Sequence, residues 1–186
     1  MSLPQCTGAY SVGCVDIMTP TPTPLPTDFH PKTLCNTHIG TLMRLFYPTT
    51  SPPSTRKANW LPEPHQDVYA YGFAKYAKLK FFGWILQKWI GNTRMEAFAN
   101  APIIDQSSWQ QVQECPSLQG EGKLPLIVFS HGMGGQRAVY SVFCTQLASQ
   151  GFVVAAIEHR YGQDFISFFQ PFSYARSVGC SHHHVH

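Results

Sequence analysis

The chain has 186 residues, 44% hydrophobic, 13% aromatic and 12% charged. This length predicts about one domain, and the balance excludes a disordered chain, which needs low hydrophobicity and high net charge. A net charge of +3 is too small and too dispersed for a nucleic-acid partner. Charged residues are about half as frequent as the usual ~25%. That scarcity fits a buried interior, a lipid-facing surface, or a piece of a larger domain whose core is left partly uncovered.

In chain order, residues 1–8 read as a loose lead-in and Tyr10–Met18 as a strand. Thr19–Pro31, TPTPTPLPTDFHP, cannot pair as a central strand because proline lacks the N–H. It reads as a surface loop, or as an extended proline-rich ligand for a partner domain. Gly40–Tyr47 is a second strand, ended by Pro48, and the two strands are expected to form an antiparallel hairpin. Residues 68–91 read as one helix, where Phe81, Ile85 and Trp89 recur beside Phe82, Leu86 and Ile90 in one wide apolar stripe. Lys78, Lys80 and Lys88 lie off that stripe, and Gly91-Asn92 supplies the stop. The stripe can pack on the protein's own core or dock at a membrane interface.

After an irregular stretch over 100–123, Leu126–Phe129 reads as a strand buried on both faces. Ser130–Gly135 is a glycine-rich turn, and Arg137–Gln150 a helix with Val139, Phe143 and Leu147 on one face. Gly151 stands where a helix end wants a left-handed residue, and Phe152–Ile157 is the next buried strand. Strand, helix and strand make a βαβ unit, so the fold class is α/β with a mostly parallel sheet. No run reaches the ~18 apolar residues that span a bilayer. The N-terminus lacks the basic and apolar regions of a signal peptide, and residue 2 is Ser, which excludes N-myristoylation. Cysteines 6, 14, 35, 115, 144 and 180 show no CxxC spacing. They read as free cytosolic thiols rather than a disulfide framework or a zinc site.

The turn His131-Gly132-Met133-Gly134-Gly135 is the informative site. Glycines let the backbone approach a ligand closely, and the helix start adds unpaired N–H groups and a positive dipole end. Such a turn can hold a phosphate or the oxyanion of acyl transfer, or serve as a structural turn alone. The phosphate reading lacks a GxGxxG fingerprint or a Walker Lys-Ser/Thr pair. His-Gly-rich segments after a strand build half of an oxyanion hole in many lipases and esterases. The nucleophile elbow GxSxG is absent from these residues; Ser11 and Ser177, each with Ala in place of the first Gly, are chance matches. The cluster His182, His183, His184 and His186 can bind a metal adventitiously but lacks a second shell. Glu158-His159-Arg160 ends the second buried strand, where ligands of open α/β sheets gather. There an ion pair or hydrogen bond that orients loops is the expected role.

Several blocks carry a family resemblance: Gly8–Met18, Arg44-Leu-Phe-Tyr-Pro48, Pro125–Gly134, Tyr140-Ser141 and Leu147–Arg160. In order and rough spacing they resemble the platelet-activating factor acetylhydrolases, both the plasma enzyme and its intracellular type II relative. The resemblance implies an α/β-hydrolase fold and calcium-independent serine-esterase chemistry with no cofactor or metal. It implies phospholipid substrates with a short or oxidised sn-2 acyl group, met at a membrane or lipoprotein surface. It places the oxyanion-hole backbone N–H at Met133, supported by His131, Gly132 and Gly134. The family's lipid-docking helix maps onto Leu79–Gly91, with Phe81 and Phe82 as membrane contacts. The family's Ser-Asp-His triad lies beyond the resemblance, which stops near Arg160.

The expectation is therefore a truncated α/β-hydrolase: residues 1–160 as the N-terminal part of the domain, 161–186 as a divergent, disordered tail. Such a chain alone is inactive. Two alternatives stay open: a non-catalytic short isoform that binds a membrane or partner through helix 79–91, and another α/β-hydrolase carboxylesterase. A cytoplasmic, membrane-associated setting is expected, with secretion as the alternative if the N-terminus is incomplete. The second buried strand is expected to leave an unpaired edge, which favours association.

Overall fold

The computed structural model describes residues 3–19, 41–50, 56–79, 82–105, 123–132 and 135–159. The expected Thr/Pro loop beyond Thr19, Phe81, Met133, Gly134, Ser177, the histidine cluster and the whole of 161–186 lie outside the described residues. Among the described residues six strands form one mixed sheet. They are β1 (Ser11–Thr19), β2 (Thr41–Thr49), β3 (Lys57–Asn59), β4 (Arg94–Ala99), β5 (Leu126–Ser130) and β6 (Val153–Glu158), in the order β3-β4-β1-β2-β6-β5. Among the described residues three helices accompany them: α1 (Gln66–Tyr76), α2 (Gly83–Ile90) and α3 (Ser141–Ser149).

β1 and β2 pair antiparallel from Ser11↔Thr49 to Thr19↔Thr41, as the alternating apolar runs predict. β2 then pairs antiparallel with β6, and β6 parallel with β5. The β5–α3–β6 crossover is the predicted βαβ unit, while β1–β4 is the other parallel pair and β3–β4 is antiparallel. The sheet is thus mixed rather than mostly parallel, because the N-terminal hairpin supplies antiparallel neighbours. β3 and β4 were not read from the sequence. β4 carries the signal of alternation, with Met95 and Ala97 buried between less buried neighbours.

The core packs between one sheet face and α3, around Val12, Cys14, Phe46, Met95, Cys144, Val154 and Ala156. Small side chains let α3 approach: Ser141, Cys144, Thr145, Ala148 and Ser149 are its buried residues. Ser141 Oγ and Thr145 Oγ1 donate back to the carbonyls of Ala138 and Ser141, so these buried hydroxyls are satisfied. On the face shared by Val139, Phe143 and Leu147, Phe143 is exposed, and its ring lies tilted on Phe129 with ring centroids 5.7 Å apart. Gly151 has φ 104°, the left-handed conformation expected of it. The lead-in is not loose over the described residues: Leu3 N donates to Arg94 O, and Tyr10 N to Ser149 O.

The single helix expected over 68–91 is two. Lys78 turns with φ 60°, and its N–H and that of Leu79 close back onto Lys75 O and Ala74 O. The apolar stripe is split accordingly. Leu86 and Ile90 pack against Leu61, Tyr69 and Ala70, whereas Trp89 is 73% exposed and Trp84 59%. The strands also differ from expectation at one edge. β6 is buried on both faces, but β5 is not: Leu126 is 62% exposed and Val128 60%. β5, not β6, is the open edge among the described residues, because β6 sits between β2 and β5.

Candidate functional site

β5 and β6 run parallel, so their carboxyl ends meet, and the glycine turn leaves the sheet there. Ligands of open α/β sheets gather at such ends. Gly135 N donates to Gly132 O at 3.0 Å, which closes the turn. A Cβ on Gly135 would lie 3.0 Å from Gly132 O and 3.1 Å from His131 Nδ1, a tight fit that its neighbours would have to yield to. Among the described residues, a Cβ on Gly132 would meet nothing within 4 Å. Among these residues its backbone is approachable.

His131 is buried rather than presented as a base. Its Nδ1 lies 3.0 Å from Gly132 O; a carbonyl oxygen only accepts, so Nδ1 carries the proton. The His131 ring meets the His159 ring edge-on at 4.5 Å, and His159 Nε2 lies 2.8 Å from Ser130 Oγ. Of the predicted turn residues, His131 and Gly132 therefore sit together at the sheet end. Met133 and Gly134 lie outside the described residues.

Beneath the turn lies a buried charge network of which sequence reasoning picked out only Glu158. Asp16 and Arg44 are cross-strand partners in the β1–β2 register. Arg44 Nε and Nη2 donate to the two Asp16 carboxylate oxygens at 2.9 and 2.7 Å, a bidentate pair. Arg137, the second residue after the turn, donates from Nε to Asp16 Oδ1 at 3.0 Å. Its Nη1 donates to Glu158 Oε2 at 2.7 Å and to the Tyr69 hydroxyl. Glu158 Oε1 faces His131 Nε2 at 3.8 Å. The network thus ties β1, β2, α1, the turn and the end of β6 together. Arg44 Nη1 and Trp60 extend it: Nη1 donates to Trp60 O, and Trp60 Nε1 donates to Ala138 O, both at 2.7 Å.

Two arginines face two carboxylates, so the buried charges balance. Burial works to raise the Asp16 carboxyl, but the adjoining Arg44 and Arg137 guanidiniums outweigh it and hold it below the ordinary range. Burial pushes the Tyr69 phenol up to about 12, so it stays a neutral partner. Glu158 therefore plays the orienting role expected of it at the strand end, through Arg137. The sequence signal was a charge inside each apolar alternation, Asp16 in β1 and Arg44 in β2, which are rarely buried unless paired.

Phe82, the described member of the predicted membrane pair, is exposed at the start of α2. No helix among the described residues is long and apolar enough to cross a membrane. Among the described residues no group of three or more His, Cys, Asp or Glu is placed to hold a metal. Ser11 lies in β1, in line with its reading as a strand residue.

The family model described as platelet-activating factor acetylhydrolase, isoform II, matches residues 1–175, past the point where the block-by-block resemblance ended. The platelet-activating factor acetylhydrolase of Canis lupus familiaris is 34% identical over 178 residues, covering 95% of this chain and 32% of its own length. That of Gallus gallus is 31% identical over 160 residues, covering 85% and 30%. The chain thus spans about a third of the length of these relatives. Among solved structures, a ferulic acid esterase from Streptomyces cinnamoneus matches with a TM-score of 0.55 at 18% identity. It covers 88% of this chain and 37% of that one, a likeness of fold. The βαβ unit with its glycine turn, and a family model that matches almost the whole sequence, place this chain in the platelet-activating factor acetylhydrolase isoform II family.

Proposed function

We propose that this chain supplies the oxyanion-binding part of a serine ester hydrolase that removes short or oxidised sn-2 acyl groups from phospholipids. The observation that carries the reading is the glycine turn at the carboxyl end of β5, open at Gly132 and braced from below by Arg137 and Glu158. In such a site a serine attacks the ester carbonyl, and the oxygen that becomes negative is met by the Met133 backbone N–H. A donor of this kind is worth about 2.7–4 kcal/mol in the transition state. Residues 1–160 act as the N-terminal part of the hydrolase domain. These 186 residues hold no Gly-x-Ser-x-Gly, so the chain by itself performs no covalent acyl transfer. The chemistry proposed needs neither metal nor cofactor.

Substrate is met at a membrane or lipoprotein surface, on which the α2 edge rests through Phe81 and Phe82. The exposure of Phe82, Trp84 and Trp89 beside exposed Lys88 supports this contact. The free thiols Cys6, Cys14 and Cys144 suit a cytoplasmic setting.

The test is acetate release from a short-acyl phospholipid. It compares the 186-residue chain alone with a chimera in which residues 1–160 replace the matching segment of the canine relative. The chain alone is expected to be inert and to take no active-serine probe. The chimera is expected to hydrolyse the lipid and take the probe. A folded but inactive chimera, or an active chain alone, overturns the proposal.

A further inference from the structure

An open groove of about 360 Å³ lies between the start of α1 and the outward side of α2, lined by Gln66, Trp84, Gln87, Lys88, Gly91 and Asn92. Every polar side chain in this lining can donate: the ammonium three times, each carboxamide twice, the indole once. None of the six is acidic. Trp84 and Lys88 stand one helical turn apart and so share one stripe of α2. Lys88 makes no ion pair among the described residues, unlike Lys57 and Arg56, which are matched to Glu96 and Glu63. A concave surface of unspent donors around one unmatched cation suits an anion with several acceptor oxygens.

Leu79, Phe82 and Trp89 are exposed around the same helix pair, and Lys75 and Lys78 are exposed with them. Apolar side chains that enter a bilayer edge bring the groove to the level of the headgroups. There the phosphodiester is at far higher local concentration than any free phosphate.

We propose that the groove between α1 and α2 binds the phosphodiester of a bilayer phospholipid, with Lys88 as the cation and the Trp84 indole and the carboxamides as hydrogen-bond donors. The inference rests on the membrane contact proposed above and adds the headgroup to it.

The test is flotation of the full chain with phosphatidylcholine vesicles and, separately, with vesicles of a phosphate-free galactosyl diacylglycerol. Flotation separates bound chain from aggregate. Binding is expected to both, roughly fivefold weaker without phosphate, the upper end for one exposed ion pair. Lys88→Gln, at an exposed position, is expected to lower affinity for phosphatidylcholine to the glycolipid level and leave the glycolipid value unchanged. Trp84→Phe keeps the ring, removes the N–H and is expected to shift affinity the same way by a smaller factor. Equal affinity for both vesicles, unmoved by Lys88→Gln, overturns the groove and leaves the membrane contact standing. Flotation with neither overturns both. Displacement of the chain from phosphatidylcholine by millimolar inorganic phosphate, with Lys88→Gln abolishing that displacement, assigns the groove to free phosphate and overturns the lipid source.

Discussion

Arg137 grips Glu158 twice: Nη1 donates to Oε2 at 2.7 Å, and the backbone N–H of Arg137 points at the same oxygen at 3.4 Å. Side chain and main chain of one residue thus converge on a carboxylate that water does not reach, since both side chains are buried. The direction in which the chain leaves the glycine turn is set by this pairing.

Arg137→Met removes the shared cation and leaves Glu158 buried without its counter-charge. Breaking a buried pair from one side costs about 3–5 kcal/mol. Chemical denaturation is expected to show that loss, with Glu158→Gln in the same background recovering part of it. A change below 1 kcal/mol in Arg137→Met would show that the network adds little to the fold.

Asp16 gives the stability a pH dependence. Its folded carboxyl is held below the ordinary 3.8, so between the two values the unfolded chain binds more protons. Stability contributed by Asp16 is present above about pH 4 and is lost as pH falls through the depressed folded value. Urea midpoints are expected to drop as pH falls below about 4, and Asp16→Asn to flatten part of that drop. An unchanged slope in the variant would remove Asp16 from the account.

The two glycines of the turn should behave differently. Gly135→Ala forces a Cβ against Gly132 O and His131 and is expected to cost roughly 1–3 kcal/mol, as overpacking does. Gly132→Ala has room and should leave the melting temperature within about 2 °C. In the chimera, Gly132→Ala is expected to lower kcat, because the methyl occupies the open side of the turn. Full activity would mean that the ester does not approach there.

Burial pushes the thiols of Cys14 and Cys144 up to about 12, so thiolate is scarce near neutral pH. Alkylation in the folded chain, read peptide by peptide, should mark Cys6, which is only partly buried, well before these two. Addition of denaturant should bring Cys14 and Cys144 up to the rate of Cys6. Rapid labelling of Cys14 under native conditions would contradict the packing of β1 against α3.

Among the described residues, β5 presents Leu126 and Val128 at the open edge of the sheet. Exposed apolar edges pair with other chains, so the purified chain is expected to associate in size-exclusion chromatography. Val128→Lys should shift it toward monomer. A sharp monomer peak for the unmodified chain, with cooperative melting, would show that the edge is covered.

Much of the sheet is legible in the sequence because its strands are apolar runs bounded by proline, glycine and polar residues. Val153–Glu158 and the β1–β2 hairpin follow from that pattern. The break at Lys78 is not legible, since the residues on either side are good helix formers and the turn is set by how α2 folds back on Tyr69 and Leu61. The row Val139, Phe143 and Leu147 does not by itself tell which side of α3 is buried. The sheet admits Cys144 and Ala148 and excludes Phe143. At the site, the glycine turn stands out as a motif, but its support does not. Glu158 is marked by its place at a strand end, but Asp16, Arg44 and Arg137 lie far apart along the chain and nothing in the sequence joins them to it.

The strand order also dictates a timetable. β2 is complete early in synthesis, yet Phe46 must wait for Val154, its partner on β6, before the middle of the sheet can close. Glu158 arrives at the same late moment, so the buried arginines have only part of their counter-charge until the last described strand leaves the ribosome. Contacts this distant in sequence form slowly, and a nascent chain held in that interval exposes apolar strand surface. Cellular yield of this protein is therefore expected to respond to chaperones that act during translation more than to those that act after release.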